Sequence, residues 1–169
     1  MDLQDIFKTQ NMLNESEAVK ISYYIIKYCK DKKIDLTNLK LNKLLYFVNI
    51  KYMLENNGNP LFNEEFLAWR HGPVLQSVYE RFYFGITLVS VTKLEIIMKQ
   101  LSDKKIKIIN EVLEKKGQIS AWDLVLETHV SNGPWEVIYN NNKDINGICK
   151  TNIPHQLIYN FYKEYRHGV

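Results

Sequence analysis

The sequence predicts a mostly α protein: a single compact helical domain carrying a short β-hairpin or small sheet at most. Three observations point there. Apolar residues recur at helical spacing along most of the 169 residues, and several of those runs begin at recognisable caps. Alternating strand pattern is confined to two short stretches, 66–71 and 86–91. No linker, repeat or low-complexity tract marks a second domain, and the length suffices for one buried core.

The elements follow in chain order. Asn14 with Glu17 three residues later has the form of a capping box, and Ala18, Ile21, Ile25 and Cys29 then share one helical face. Thr37 is placed to cap the next helix, where Leu41, Leu44, Leu45, Val48 and Tyr52 repeat at i, i+3, i+4 and i+7. Asn57-Gly58 ends it as a left-handed cap does. The segment FLAWRHGPVL, from Phe66 to Leu75, reads as a short strand that turns a corner at Gly72-Pro73. Beyond that corner, Leu75, Val78, Tyr79 and Phe82 are spaced as a helix that stops near Gly85. The β-branched run from Ile86 to Val91 is the candidate partner strand. Asp103 opens a helix that carries Ile106, Ile109, Val112 and Leu113 to Gly117. Ser120 with Asp123 resembles a capping box for a short helix through Glu127. Pro134 and Pro154 suit first helical turns, the second leading into Leu157, Ile158, Phe161 and Tyr165.

Composition narrows the function classes. A 46% hydrophobic and 24% charged chain is globular rather than disordered, and eleven Tyr, seven Phe and three Trp supply rings for a core or an interface. The net charge of +3 is small for a dedicated nucleic-acid binder. Lys40, Lys43 and Lys51 nevertheless fall within about 80° on a helical wheel. That stripe is the basis of an alternative reading, a small nucleic-acid-associated transcriptional regulator, although a stripe of this kind is ordinarily a solvated helix face. Two cysteines make no disulfide framework, and nothing at the start reads as a signal peptide or an apolar run of membrane-spanning length. The expectation is a cytoplasmic protein with free thiols and no membrane partner.

Motifs that carry chemistry are missing. No serine lies in a nucleophile elbow, and Cys29 sits on an apolar face where an inert thiol is expected. Asp123 and His129 are about 240° apart on a helical wheel and diverge. The four histidines are scattered, with no zinc spacing, and the glycines are too sparse for a phosphate loop. One weak anion site remains, the amides of Val74 and Leu75 beside Arg70 and His71, against the plainer reading of a structural corner. The loop THVSNGPW places His129 near Trp135, either anchoring the loop or contacting a ligand. The residues thus describe a non-enzymatic helical domain without cofactor or metal.

The order of these pieces resembles the Panacea domain, the SocA-like antitoxin family that also includes phage-associated proteins. It is carried by Leu41-Asn42-Lys43-Leu44-Leu45-Tyr46, by Gly58-Asn59-Pro60-Leu61-Phe62, and by Trp69, His71, Gly72, Pro73 and Val74. Leu124 or Leu126, Thr128, His129 and Trp135 complete the pattern. It runs from about Glu15 to Tyr165, which makes residues 1–14 an N-terminal extension and 15–169 the domain. Where the family often has tyrosine before Gly-Pro-Val, this chain has His71, so a ring filling that position would suffice.

The resemblance implies an antitoxin of a bacterial or prophage toxin-antitoxin system, neutralising a toxin encoded nearby by direct contact. SocA-like members also act as adapters that hand the toxin to an AAA+ protease such as ClpXP. The partner-binding residues expected on that basis are Trp69, Arg70, His71, His129 and Trp135, since rings and arginines dominate interface hot spots. Arg70 is expected to face the partner, with Trp69 holding the corner to the core. No appended DNA-binding module is recognised.

Overall fold

The computed structural model describes residues 14–86 and 91–165. Among them it forms eight helices: α1 (Glu17–Asp31), α2 (Asn38–Glu55), α3 (Gln76–Arg81), α4 (Val91–Gln100), α5 (Asp103–Lys116), α6 (Ala121–Thr128), α7 (Pro134–Asn142) and α8 (His155–Glu164). Three short strands, β1 (Phe66–Trp69), β2 (Gly72–Val74) and β3 (Asn152–Ile153), make an antiparallel sheet in the order β2-β1-β3.

Helix α2 is the axis of the molecule, packing against α1, α3, α5, α6, α8 and β2. Its start is set by Thr37, whose hydroxyl accepts from the Lys40 amide. Its end is set by Asn57 and Gly58, both at positive φ. Between these points every residue from Lys40 to Ile50 is buried, so the helix has no solvated face. This corrects the reading of Lys40 and Lys43 as an exposed basic stripe. Lys43 is fully buried, Lys40 nearly so, and Lys51 pairs with Glu55 at 2.8 Å and Glu111 at 3.3 Å.

Most buried polar residues of α2 have a common task. Asn42, Lys43 and Asn49 each reach a backbone group in the chain between α2 and α3, where sheet and helix pairing leave donors and acceptors over. Asn49 accepts from the Leu61 amide at 2.9 Å, and Asn42 accepts from the Leu75 amide at 2.9 Å. The Lys43 ammonium donates to the Pro73 carbonyl at 2.8 Å. The central helix thus dictates the path of the segment that contains the hairpin.

That hairpin pairs Leu67 with Val74, Ala68 with Pro73 and Trp69 with Gly72, leaving Arg70 and His71 as its turn. Gly72 has φ +95°, and a Cβ there would stand 2.6 Å from the Thr128 hydroxyl and 2.9 Å from the Lys43 Cε. Only glycine meets both conditions.

The second partner of β1 is β3, with Phe66 opposite Ile153, and not the run from Ile86 to Val91. Residues 87–90 of that run lie outside the described residues, and Val91 opens α4. Leu94, Ile97 and Leu101 of that region are buried at helical spacing, a signal that the preceding β-branched residues masked. The first helix also starts differently from expectation. Ser16 caps it by accepting from Val19, and Asn14 stands outside. In α8 the fully buried residues are Ile158 and Tyr162, while Tyr165, expected on the apolar face, is exposed.

Candidate functional surface

The hairpin turn is fixed from two sides. Beneath it, Lys43 holds the Pro73 carbonyl; beside it, the Trp135 indole N–H donates to the Trp69 carbonyl at 2.7 Å. Both bonds are to backbone carbonyls that flank Arg70-His71, so the tip is held without engaging its own side chains.

Trp135 is placed by local sequence. Gly133 precedes the first turn of α7, Pro134 occupies that turn, and Trp135 follows it into the core. Its ring lies parallel to His129 at 3.6 Å between centroids and stacks on Tyr139 at 4.9 Å. His129 ends α6, and its Nε2 is buried without a hydrogen-bond partner among the described residues. Burial, then the charges of Lys43 and His71, hold its pKa down to about 4, with Glu136 acting the other way. His129 is therefore a neutral ring near pH 7 that stacks on Trp135. Burial also lowers the Lys43 pKa to about 7.

Above this layer the same residue types are exposed. Arg70 is exposed, and its side chain makes no hydrogen bond or ion pair among the described residues. His71 is exposed as well, its ring edge-on to Trp122 at 5.3 Å, so it is not the space-filling ring expected. Trp69 is half-buried, standing edge-on to Tyr79 at 4.8 Å, and Tyr79 continues to Tyr83 at 5.6 Å and Tyr83 to Phe84 at 5.1 Å. The rings form two runs at the hairpin tip, His71 to Trp122 and Trp69 to Phe84, with Trp122 59% and Phe84 99% exposed at their outer ends.

Two pockets adjoin the tip, and Trp69 and Arg70 line both. One, of about 230 Å³, is floored by Leu39, Val74 and Tyr79. The other, of about 250 Å³, is closed by the 146–150 loop. The anion site considered at the Gly72-Pro73 corner is absent. The Leu75 amide is taken by Asn42, and Glu64 accepts from the Ser77 amide at 3.1 Å. Among the described residues no group of three or more His, Cys, Asp and Glu is placed to hold a metal, and no helix is long and apolar enough to cross a membrane.

The five residues singled out from sequence thus divide. Trp69, Arg70 and His71 reach the surface, whereas His129 and Trp135 form the layer that supports them. Sequence reading missed Trp122, Leu126, Tyr79 and Tyr83. A signal for the first two existed: on α6 the buried side is Leu124, Val125 and Thr128, so Trp122 and Leu126, four apart, share the outer face.

No solved structure matches the chain. It is similar to Antitoxin SocA of Caulobacter vibrioides (strain NA1000 / CB15N), 38% identical over 117 residues, which are 63% of this chain and 62% of that relative's length. The family model described as "Antitoxin SocA-like, Panacea domain" matches residues 41–136, a span holding both the buried layer from Lys43 to Trp135 and the exposed tip. With more than half of its length matched, the chain belongs to the SocA-like, Panacea-domain family.

Proposed function

We propose that the chain is an antitoxin, acting in the cytoplasm and neutralising a cognate protein toxin by direct binding rather than by catalysis. The observation that carries this reading is the two runs of rings that flank an arginine unpaired among the described residues, inside the span shared with the antitoxin family. Soluble proteins ordinarily bury such residues, and a cluster of them on a rigid scaffold is the composition of an interface hot spot. In this reading Trp69, Arg70 and His71 touch the toxin together with Trp122. His129 and Trp135 hold the surface in shape. Residues 15–169 act as one domain and 1–14 as its extension.

The test is co-expression with the product of the adjacent gene. The neighbour alone is expected to arrest growth, and the chain to restore it and co-purify with the neighbour. A harmless neighbour, or neither rescue nor co-purification, overturns the reading. The adapter role makes a separate demand. Induction of the chain should shorten the toxin's half-life in cells that hold an AAA+ protease such as ClpXP, and not in cells that lack it. An unchanged half-life with full rescue leaves occlusion as the mechanism.

A further inference from the structure

The two pockets share a wall, and the charge of that wall selects what fits. Arg70 lines both and Lys150 joins it in one; the His71 ring lines the other, and among the described residues no carboxylate lines either. The remaining walls are largely apolar, Leu39, Val74 and Tyr79 on one side and Ile148 on the other. The single carboxylate of the 143–150 segment, Asp144, is committed to its own loop, accepting from the amides of Asn146 and Ile148 at 2.9 and 2.8 Å. Among the described residues no acid therefore competes for Arg70, and none holds it in an ion pair that an incoming carboxylate would break.

We infer that the hairpin tip is a receptor for an acidic peptide segment of the protein partner, in which a carboxylate meets Arg70 and a flanking apolar side chain enters the pocket beside Trp69. This deepens the antitoxin reading and rests on it. Arginine is suited to the role, because its planar fork takes a carboxylate through two parallel hydrogen bonds. The apolar walls then add burial that a salt bridge on an open surface lacks. A nucleic acid strand would also meet rings and arginine. The small net charge of +3 and the burial of Lys40 and Lys43 remove the basic stripe its phosphates would follow.

The inference is tested by panning a random ten-residue peptide library on phage against the immobilised full chain, followed by affinity measurements on synthetic copies of the selected peptides. The expected result is selection of Asp or Glu beside Leu, Phe or Trp. R70E should bind those peptides at least tenfold more weakly, and R70Q should show an intermediate loss. A peptide whose acid is replaced by lysine should prefer R70E to the parent chain. Thermal unfolding of both variants checks that the exposed substitutions leave the fold intact.

Selection of neutral or basic peptides, no selection at all, or equal affinity for the parent chain and R70E overturns the inference. So does displacement of the selected peptides by a ten-nucleotide oligothymidylate that itself requires Arg70. The two readings fail separately. If the chain rescues growth but binds no acidic peptide, the toxin is held by other means and only this inference falls. If acidic peptides bind through Arg70 but the neighbouring gene is harmless, only the antitoxin reading falls.

Discussion

A cation, a histidine and a tryptophan occur twice in this molecule, on opposite sides of the Gly72-Pro73 corner. Beneath it stand Lys43 and Trp135, buried, with His129, half-buried; above it stand Arg70, His71 and Trp122, exposed. The lower set spends its chemistry internally. Lys43 and Trp135 each hold a hairpin carbonyl, and both titratable groups are pushed toward neutrality by burial. The upper set has no such commitments beyond one edge-on ring contact. The same residue types build the scaffold where water is excluded and the proposed recognition surface where it is not. Substitutions below should therefore act on stability, and those above on binding.

The largest effect is expected at Trp135. W135A removes a buried indole, two ring stacks and the bond to the Trp69 carbonyl, and should lower stability by about 4 kcal/mol, read from urea unfolding. Binding should fall only as far as the hairpin loses its shape. G72A comes next, at about 3 kcal/mol, because the new methyl meets both an unfavourable φ and the Thr128 and Lys43 side chains. A loss under about 1 kcal/mol at either position would show that the lower layer does not support the tip.

A smaller effect comes from the titration of the lower set. The folded pKa of Lys43 lies near 7, below its ordinary 10.5. From pH 7 upward the unfolded chain holds the proton while the folded one sheds it, so stability rises with pH. Between about pH 7 and 9 the gain should be on the order of 2 kcal/mol. Above pH 9 it is offset, since burial pushes Cys29 up to about 11 and Tyr162 up to about 12, and the unfolded chain then loses protons first. On the acid side, His129 is depressed to about 4, so stability falls as pH drops from 6.5 toward 4. K43M should flatten the rise from pH 7 to 9 and weaken the acid-side fall without removing it, because burial rather than the Lys43 charge is the larger cause of the lowered His129 pKa. A variant with the parent's full profile would remove Lys43 from the account.

What the sequence made legible follows the same division between local and distant causes. Thr37, Ser120 and Pro134 announce helix starts because their partners lie within three residues or in their own ring, and all three helices begin there. Lys43 gave no such signal. Its acceptor is the Pro73 carbonyl 30 residues away, so on a helical wheel it looked like one more solvated lysine. The strand Asn152–Ile153 has only two residues, too few to show alternation, and its pairing to Phe66 is a product of the finished fold. Trp69, Arg70 and His71 stand out in the sequence because they run into the Gly72-Pro73 corner, and all three reach the surface. Trp122 was passed over because apolar residues on a short helix look like core until the buried side is known.

The smallest effect on stability is expected above the corner, and it decides the comparison. Arg70 is exposed and unpaired among the described residues, so R70E should change unfolding free energy by less than about 0.5 kcal/mol. W122A loses a ring that is 59% exposed, and its cost should be similar, in spite of the contact to His71. In co-purification with the neighbouring gene's product, however, each should reduce recovery far more than W135A does at a temperature where all three are folded. Hot-spot truncations weaken binding by about 2 kcal/mol or more, roughly thirtyfold. If instead recovery follows stability across the variants, the tip has no recognition role of its own. The unpaired arginine would then be an ordinary turn residue, set above a scaffold that serves only the fold.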